Sequence, residues 1–119
     1  MSYALIGAAM EVHRELGPGL LESTYEACLC RELELRDIPY ERQRSMPIEY
    51  KGLLIEEGYR IDVLVEEKLV VELKSVKKIE DIHRAQLLTY LKLSKNNTGL
   101  LVNFNVPLLR DGIVRMVND

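Results

Sequence analysis

Apolar residues recur at helical spacing over residues 3 to 16, where Leu5, Ile6, Ala9, Met10, Val12 and Leu16 fall near one side. Gly17-Pro18-Gly19 halts that helix. A second helix is predicted from about Leu20 to Arg36. Its apolar stripe is Leu21, Tyr25, Cys28, Leu29 and Leu33, and its remainder, including Glu22 and Glu26, is mostly charged. The period changes between Ile38 and Tyr50, where β-formers alternate at Met46, Ile48 and Tyr50 and a strand is predicted, interrupted or bent near Pro47. Lys51-Gly52 turns the chain into a second strand ending in Tyr59 to Val65, and Glu66-Glu67-Lys68 turns it into a third, Leu69 to Ser75. Helical spacing returns from about Asp81 to Leu93, with Ile82, Ala85, Leu88 and Leu91 or Leu93 near one side. Asn96-Asn97 ends it. A strand follows from Gly99 to Phe104, and after the Asp111-Gly112 turn a short last one from Ile113 to Val117.

The order α, α, β, β, β, α, β, β predicts an α/β fold. Strands joined by tight turns form an antiparallel meander, whereas strand, helix, strand is a crossover between parallel neighbours. A mixed sheet flanked by helices follows. A chain of 119 residues is long enough to bury a core as a single domain over 1–119. Apolar runs such as Leu53-Leu54-Ile55 fall far short of the roughly 20 residues that a membrane-spanning helix needs. The opening Met1-Ser2-Tyr3-Ala4 lacks the basic-then-apolar pattern of a secretory signal, so no membrane association and a cytoplasmic location are expected.

Charge narrows the choice of partner. Sixteen basic against 19 acidic residues give a net charge of −3, so any affinity for phosphate backbones has to rest on a local basic cluster, for which Lys77, Lys78, Arg84, Lys92 and Lys95 are the candidates. Cys28 and Cys30 point about 200° apart on a helix and cannot pair or share a metal. They read as buried, reduced thiols. His13 and His83 are far apart and no Cys-x-x-Cys is present, which leaves no zinc pattern. His13 reads as structural.

Candidate chemistry lies on the third strand, Val70-Val71-Glu72-Leu73-Lys74-Ser75. With a strand period of two, Glu72 and Lys74 share one face while Val71 and Leu73 take the other. In the strand before it, Ile61, Val63 and Val65 form an apolar row and Asp62 points away from it. A loop of three residues at 66–68 pairs Val65 with Leu69 and sets Asp62 opposite Glu72, whereas a two-residue loop separates them. The three-residue loop, or an equivalent bulge, is expected. Two carboxylates roughly 5 Å apart at an effective dielectric of about 20 repel by about 3 kcal/mol, which a proton, a lysine or a cation relieves. Oxygen ligands of this kind select Mg²⁺, Mn²⁺ or Ca²⁺ over zinc. Taken alone, Glu72 and Lys74 read first as a solvated strand face, since both residue types are common there.

Asp62 followed by Glu72-Leu73-Lys74 resembles the D…(D/E)-x-K core of the PD-(D/E)XK nuclease superfamily, with Ile61 standing where the superfamily's name has proline. The predicted order is similar to its restriction-endonuclease-like α-β-β-β-α-β core, with an extra N-terminal helix and a short C-terminal strand. Gly19-Leu20-Leu21-Glu22-Ser23-Thr24-Tyr25 resembles the G-x-x-E-x-x-Y signature of the GxxExxY branch, and Gln86-Leu87-Leu88-Thr89-Tyr90 resembles the Q-x-x-x-Y of RecB-like nucleases. The likeness runs from Ile6-Gly7-Ala8-Ala9 to the segment Asn103-Phe104-Asn105-Val106-Pro107.

What the resemblance implies is a nuclease that hydrolyses phosphodiester bonds of DNA or RNA with Mg²⁺ or Mn²⁺. Glu22, Asp62, Glu72 and Lys74 are then the catalytic set. The metal is held by Glu22, Asp62, Glu72 and the backbone carbonyl of Leu73. Lys74 orients the attacking water or stabilises the phosphate in the transition state. Gln86 and Tyr90 contact substrate or brace the site, with His83 bordering them on the same helical stripe. Tyr25 is expected in the core or the site wall. A homodimer is a further expectation. The competing reading is a non-catalytic module that keeps the fold and binds nucleic acid or protein, and a third is a hydrolase of small phosphorylated substrates.

Overall fold

Two buried apolar clusters, one on each face of a single sheet, organise the chain. The computed structural model describes residues 2–118. Its elements are α1 (Ser2–Leu16), α2 (Glu22–Leu35), β1 (Tyr40–Tyr50), β2 (Leu53–Val65), β3 (Leu69–Lys74), α3 (Asp81–Ser94), β4 (Thr98–Asn103), a 3-10 turn (Leu109–Gly112) and β5 (Ile113–Val117). The five strands lie in the order β1-β2-β3-β4-β5. All neighbours are antiparallel except β3 and β4, the pair that the α3 crossover connects. The α/β class and the element order match the sequence reading, and the mixed sheet with its helices is that of a restriction-endonuclease-like fold.

On one face, α1 and α2 lay Leu5, Val12, Tyr25, Leu29 and Leu33 over Val63, Val71, Leu73, Val102 and Phe104. On the other, α3 lays Leu87 and Leu91 over Ile61, Leu64, Val70 and Leu101. β3 and β4 are buried on both sides, as a central parallel pair covered by helices must be. His13 is structural as expected, its Nε2 donating to the Val106 carbonyl at 2.8 Å.

The predicted helical stripes need correction. In α3 the buried positions are Leu87 and Leu91, whereas Ile82, Ala85 and Leu93 are exposed and Leu88 is half-buried. The helix is rotated because the face that meets the sheet also carries Tyr90, which packs with Tyr59 and Ile61. In α2, Leu21 precedes the helix and is exposed, while Glu26, predicted among its charged remainder, is buried. Met10 and Leu16 of α1 are also largely exposed.

The break expected near Pro47 is present. β1 and β2 pair in one register through Met46↔Tyr59 and in another from Ile48↔Ile55, so Pro47 alone faces residues 56 to 58. β2 pairs with β3 only over Val63–Val65, which leaves the β1–β2 hairpin reaching beyond the rest of the sheet. The turn predicted at Asp111-Gly112 is the end of a 3-10 turn, Leu109–Gly112, that follows β4. It packs so closely that a Cβ on Gly112 would lie 2.2 Å from the Asn103 carbonyl oxygen. Backbone cannot yield as a flexible side chain does. Gly112→Ala is therefore expected to lower stability by about 2–3 kcal/mol, read as a lower denaturation midpoint at unchanged slope.

Candidate functional site

The loop between β2 and β3 has three residues, 66–68, and Val65 pairs with Leu69, the register that sets Asp62 opposite Glu72. Beyond Val63↔Val71 the two acids take over the strand bonding. The Asp62 N–H donates to Glu72 Oε2 at 2.9 Å and the Leu73 N–H donates to Asp62 Oδ2 at 2.9 Å. Each carboxylate thus occupies a backbone donor of the neighbouring strand. The alternation of β2 breaks at the same place. Ile61, expected in the row with Val63 and Val65, packs in the α3-side cluster, while Val63 and Val65 stay with α1 and α2. The exchange places both acids at the point where β2 and β3 part, between the start of α2 and α3.

From α2 comes Glu22, at the first position of the helix. Its placement depends on Tyr25, whose hydroxyl donates to the Gly17 carbonyl at 2.5 Å and accepts from the Leu20 N–H at 3.1 Å. The Tyr25 ring is buried and stacked on Phe104, with centroids 4.4 Å apart and planes 6° from parallel. Tyr25 is therefore a brace for the turn into α2, not a substrate contact. Ser75 Oγ adds a second tie, donating to the Leu20 carbonyl at 2.6 Å. Both bonds hold a loop whose Gly17 and Gly19 sit at φ 73° and 99°, backbone that favours glycine.

Three site residues escape the sequence reading. Glu26, one helical turn after Glu22, is buried and receives Arg42 Nε at 2.6 Å and Gln43 Nε2 at 2.6 Å. Gln43 Nε2 also lies 3.3 Å from Asp62 Oδ1. The i, i+4 spacing of Glu22 and Glu26 was a legible signal that both share a helix face. Nothing local distinguishes Arg42 and Gln43 from other polar residues of an edge strand.

The remaining predicted residues divide into those near the acids and those elsewhere. Lys74, half-buried at the end of β3, pulls the carboxyls of Glu22, Asp62 and Glu72 downward, so its charge is felt at all three. Leu73 buries its side chain in the core and gives its N–H to Asp62. Gln86 and Tyr90 are half-buried one turn apart on α3. The Tyr90 ring packs on Tyr59 at 4.8 Å between centroids. Its hydroxyl is pushed up first by burial and then by the charges of Glu72 and Asp62. His83 has another task. Its Nδ1 accepts the Glu80 N–H at 2.9 Å and caps the start of α3. After Lys74 the chain is clamped by buried Asn103, whose side chain accepts the Val76 N–H at 3.1 Å and donates to the Val76 carbonyl at 3.0 Å.

The family model of the PD-(D/E)XK nuclease superfamily matches residues 1–116. The chain belongs to that superfamily. No match to a curated protein or to a solved structure was found. The GxxExxY branch is left without support from this match. Members of the PD-(D/E)XK superfamily generally use divalent metals, and the donor chemistry of this site fits one: hard carboxylate oxygens crowded together under like-charge repulsion. The coordination is not preformed. Among the described residues no three His, Cys, Asp or Glu side chains are grouped as for a metal ion. Asp62 and Glu72 are each engaged with a backbone N–H instead.

Electrostatics show what that arrangement costs. Burial, then the neighbouring Asp62, pushes the Glu72 carboxyl from 4.5 up to about 8, against the opposing pull of the Asp62 N–H and Lys74. Burial also raises Asp62, opposed by its bond from Leu73 and reinforced by Glu26. Glu22 is raised by burial and then by Asp62. The fold therefore favours protonated Glu72 at neutral pH and shifts Asp62 and Glu22 in the same direction. The unfolded chain releases the Glu72 proton near pH 4.5, whereas the native state keeps it to about 8. The contribution of Glu72 to stability in the absence of metal is thus fully present below the lower value and is lost as pH rises through the upper one. Glu72→Gln keeps an acceptor for the Asp62 N–H without the charge. It is expected to raise stability at pH 9 by about 3 kcal/mol and to flatten the decline between pH 5 and 8, measured by denaturant titration with a chelator present.

Proposed function

We propose that this chain is a metal-dependent nuclease of the GxxExxY branch, hydrolysing phosphodiester bonds of DNA or RNA with Mg²⁺ or Mn²⁺, residues 1–119 acting as one domain. The observation that supports the reading is the pairing of Asp62 and Glu72 where β2 and β3 part, close enough to Glu22 at the start of α2 and to Lys74 for their charges to be felt. Glu22, Asp62, Glu72 and the Leu73 carbonyl would hold the cation. When bound, it supplies Lewis-acid charge to a phosphoryl oxygen and acidifies a water. The chain's own residues do the rest. Lys74 would donate to the phosphate or orient the attacking water and oppose the charge that builds in the transition state. Gln86 and Tyr90 stand one turn apart on α3, and their amide and hydroxyl would contact the substrate phosphate or brace the site.

The location supported by the free thiols is the reducing cytoplasm. Cys28 and Cys30 are unpaired, and burial pushes the Cys30 thiol up to about 11, which keeps it inert. Among the described residues no helix is long and apolar enough to cross a membrane. A second copy of the chain is the proposed protein partner. The β1–β2 hairpin extends past the sheet and exposes Tyr50, Leu53 and Ile55 on one face of its end, an apolar surface that a two-fold contact would cover. Light scattering is expected to give a dimer for the wild type and a monomer for Leu53→Glu.

The test of activity is Mn²⁺ titration by calorimetry followed by cleavage of a panel of single- and double-stranded DNA and RNA. Wild type is expected to bind Mn²⁺ and cleave at least one substrate. Lys74→Ala should keep the metal but lose roughly 10²–10³-fold in kcat, and Glu72→Ala should lose both metal and cleavage. Metal binding without cleavage of any substrate would assign the chain to the non-catalytic binding modules.

A further inference from the structure

Neighbouring residues of a β-strand point to opposite faces, yet Arg42 and Gln43 donate to the same carboxylate, that of Glu26, each at 2.6 Å. The backbone at Gln43 makes this happen. Its φ is 55°, a left-handed conformation that few residues other than glycine adopt and that asparagine, not glutamine, favours. β1 does not lose register there, since Arg42↔Val63 and Arg44↔Ile61 flank the position on the same count. One residue is turned over inside an otherwise regular strand. The residue it would pair with is Asp62, where β2 also breaks its alternation. Both strands are distorted at one rung, and the distortion aims the Gln43 amide inward, where it donates to Glu26 Oε1 and lies 3.3 Å from Asp62 Oδ1. Left-handed backbone at a side chain bonded in this way marks a functional constraint.

We propose that Gln43 is a positioning residue for Asp62, its amide tying one carboxylate oxygen to buried Glu26, itself paired with the exposed Arg42, so that the other oxygen meets the Leu73 N–H. The consequence for catalysis rests on the nuclease reading; the positioning itself does not. Glu26 supplies the rigidity, because Arg42 fixes it from the far side and its burial leaves it no alternative partner in solvent. Gln43 thus links α2 to the β2–β3 junction through side chains alone. A main-chain contact would fix the strands but not the direction of the carboxylate.

Two substitutions separate the amide from the backbone. Gln43→Met keeps the length of the side chain and the left-handed burden while removing both N–H donors. Gln43→Gly removes the same donors and relieves the backbone. The first readout needs no metal: amide hydrogen exchange at Leu73, whose N–H is bonded to Asp62 Oδ2. In both variants the Leu73 amide is expected to exchange at least tenfold faster, with Val71 unchanged, whatever happens to the melting temperature. The second readout is Mn²⁺ affinity by calorimetry, expected to fall about tenfold in both, with kcat on the cleaved oligonucleotide falling alike and KM holding. Leu73 exchange at the wild-type rate in both variants would overturn the proposal. So would a loss that tracks melting temperature and appears in only one of them. If wild type takes up no Mn²⁺ while Leu73 exchange still rises in the variants, the nuclease reading fails and the positioning of Asp62 by Gln43 stands.

Discussion

The exchange of bonds between Asp62 and Glu72 is the constraint on which the site depends. Where β2 and β3 part, the Asp62 N–H and the Leu73 N–H would face each other's strand without acceptors, and unpaired buried donors are costly. The two carboxylates satisfy them. This lets the strands diverge without orphaned donors, and it brings two acids together in a region too dry for them. Like charges under burial then raise both carboxyls. The same pair of bonds closes the sheet and stores an unfavourable charge arrangement at its end.

Around that pair the surroundings are stiff. Tyr25 and Ser75 pin the turn into α2, Asn103 pins the chain after Lys74, and Glu26 with Arg42 and Gln43 fills the space between α2 and β1. None of these contacts is with a reacting group in the proposed chemistry. Their common effect is that the carboxylates are approached from α2, β1, β3 and β4 by groups that are themselves fixed. A site whose supports are packed and hydrogen-bonded retains its geometry when its own charges repel.

Much of this could be read in the sequence because strands count in twos. Loop length 66–68 and the alternation of Val71, Glu72, Leu73 and Lys74 were enough to place Asp62 opposite Glu72, and Pro47 was enough to place the irregularity in β1. What could not be read depends on tertiary contacts. The burial of Glu26 comes from Arg42 crossing from a different element, and the conformation of Gln43 has no local cause, as glutamine carries no turn signal. The stripe of α3 misled for a plain reason. Ile82 and Leu93 are apolar but lie near the helix ends, away from the sheet, and tertiary packing selected Leu87, Tyr90 and Leu91 instead. His83 fell on the predicted stripe but closes the helix start, a role that its position three residues after Glu80 already permitted.

The clamp that Asn103 places on Val76 divides the polypeptide into a part that must keep its length and a part that need not. Val76 is fixed by both its N–H and its carbonyl, Asn105 adds a bond to the same carbonyl, and the Glu80–His83 cap fixes the start of α3. Between these anchors lie only Lys77, Lys78 and Ile79. Residues inserted there would bulge into solvent without shifting Lys74 or rotating α3. That short basic stretch is where a chain of this design can acquire new surface while the carboxylates beside it stay in place.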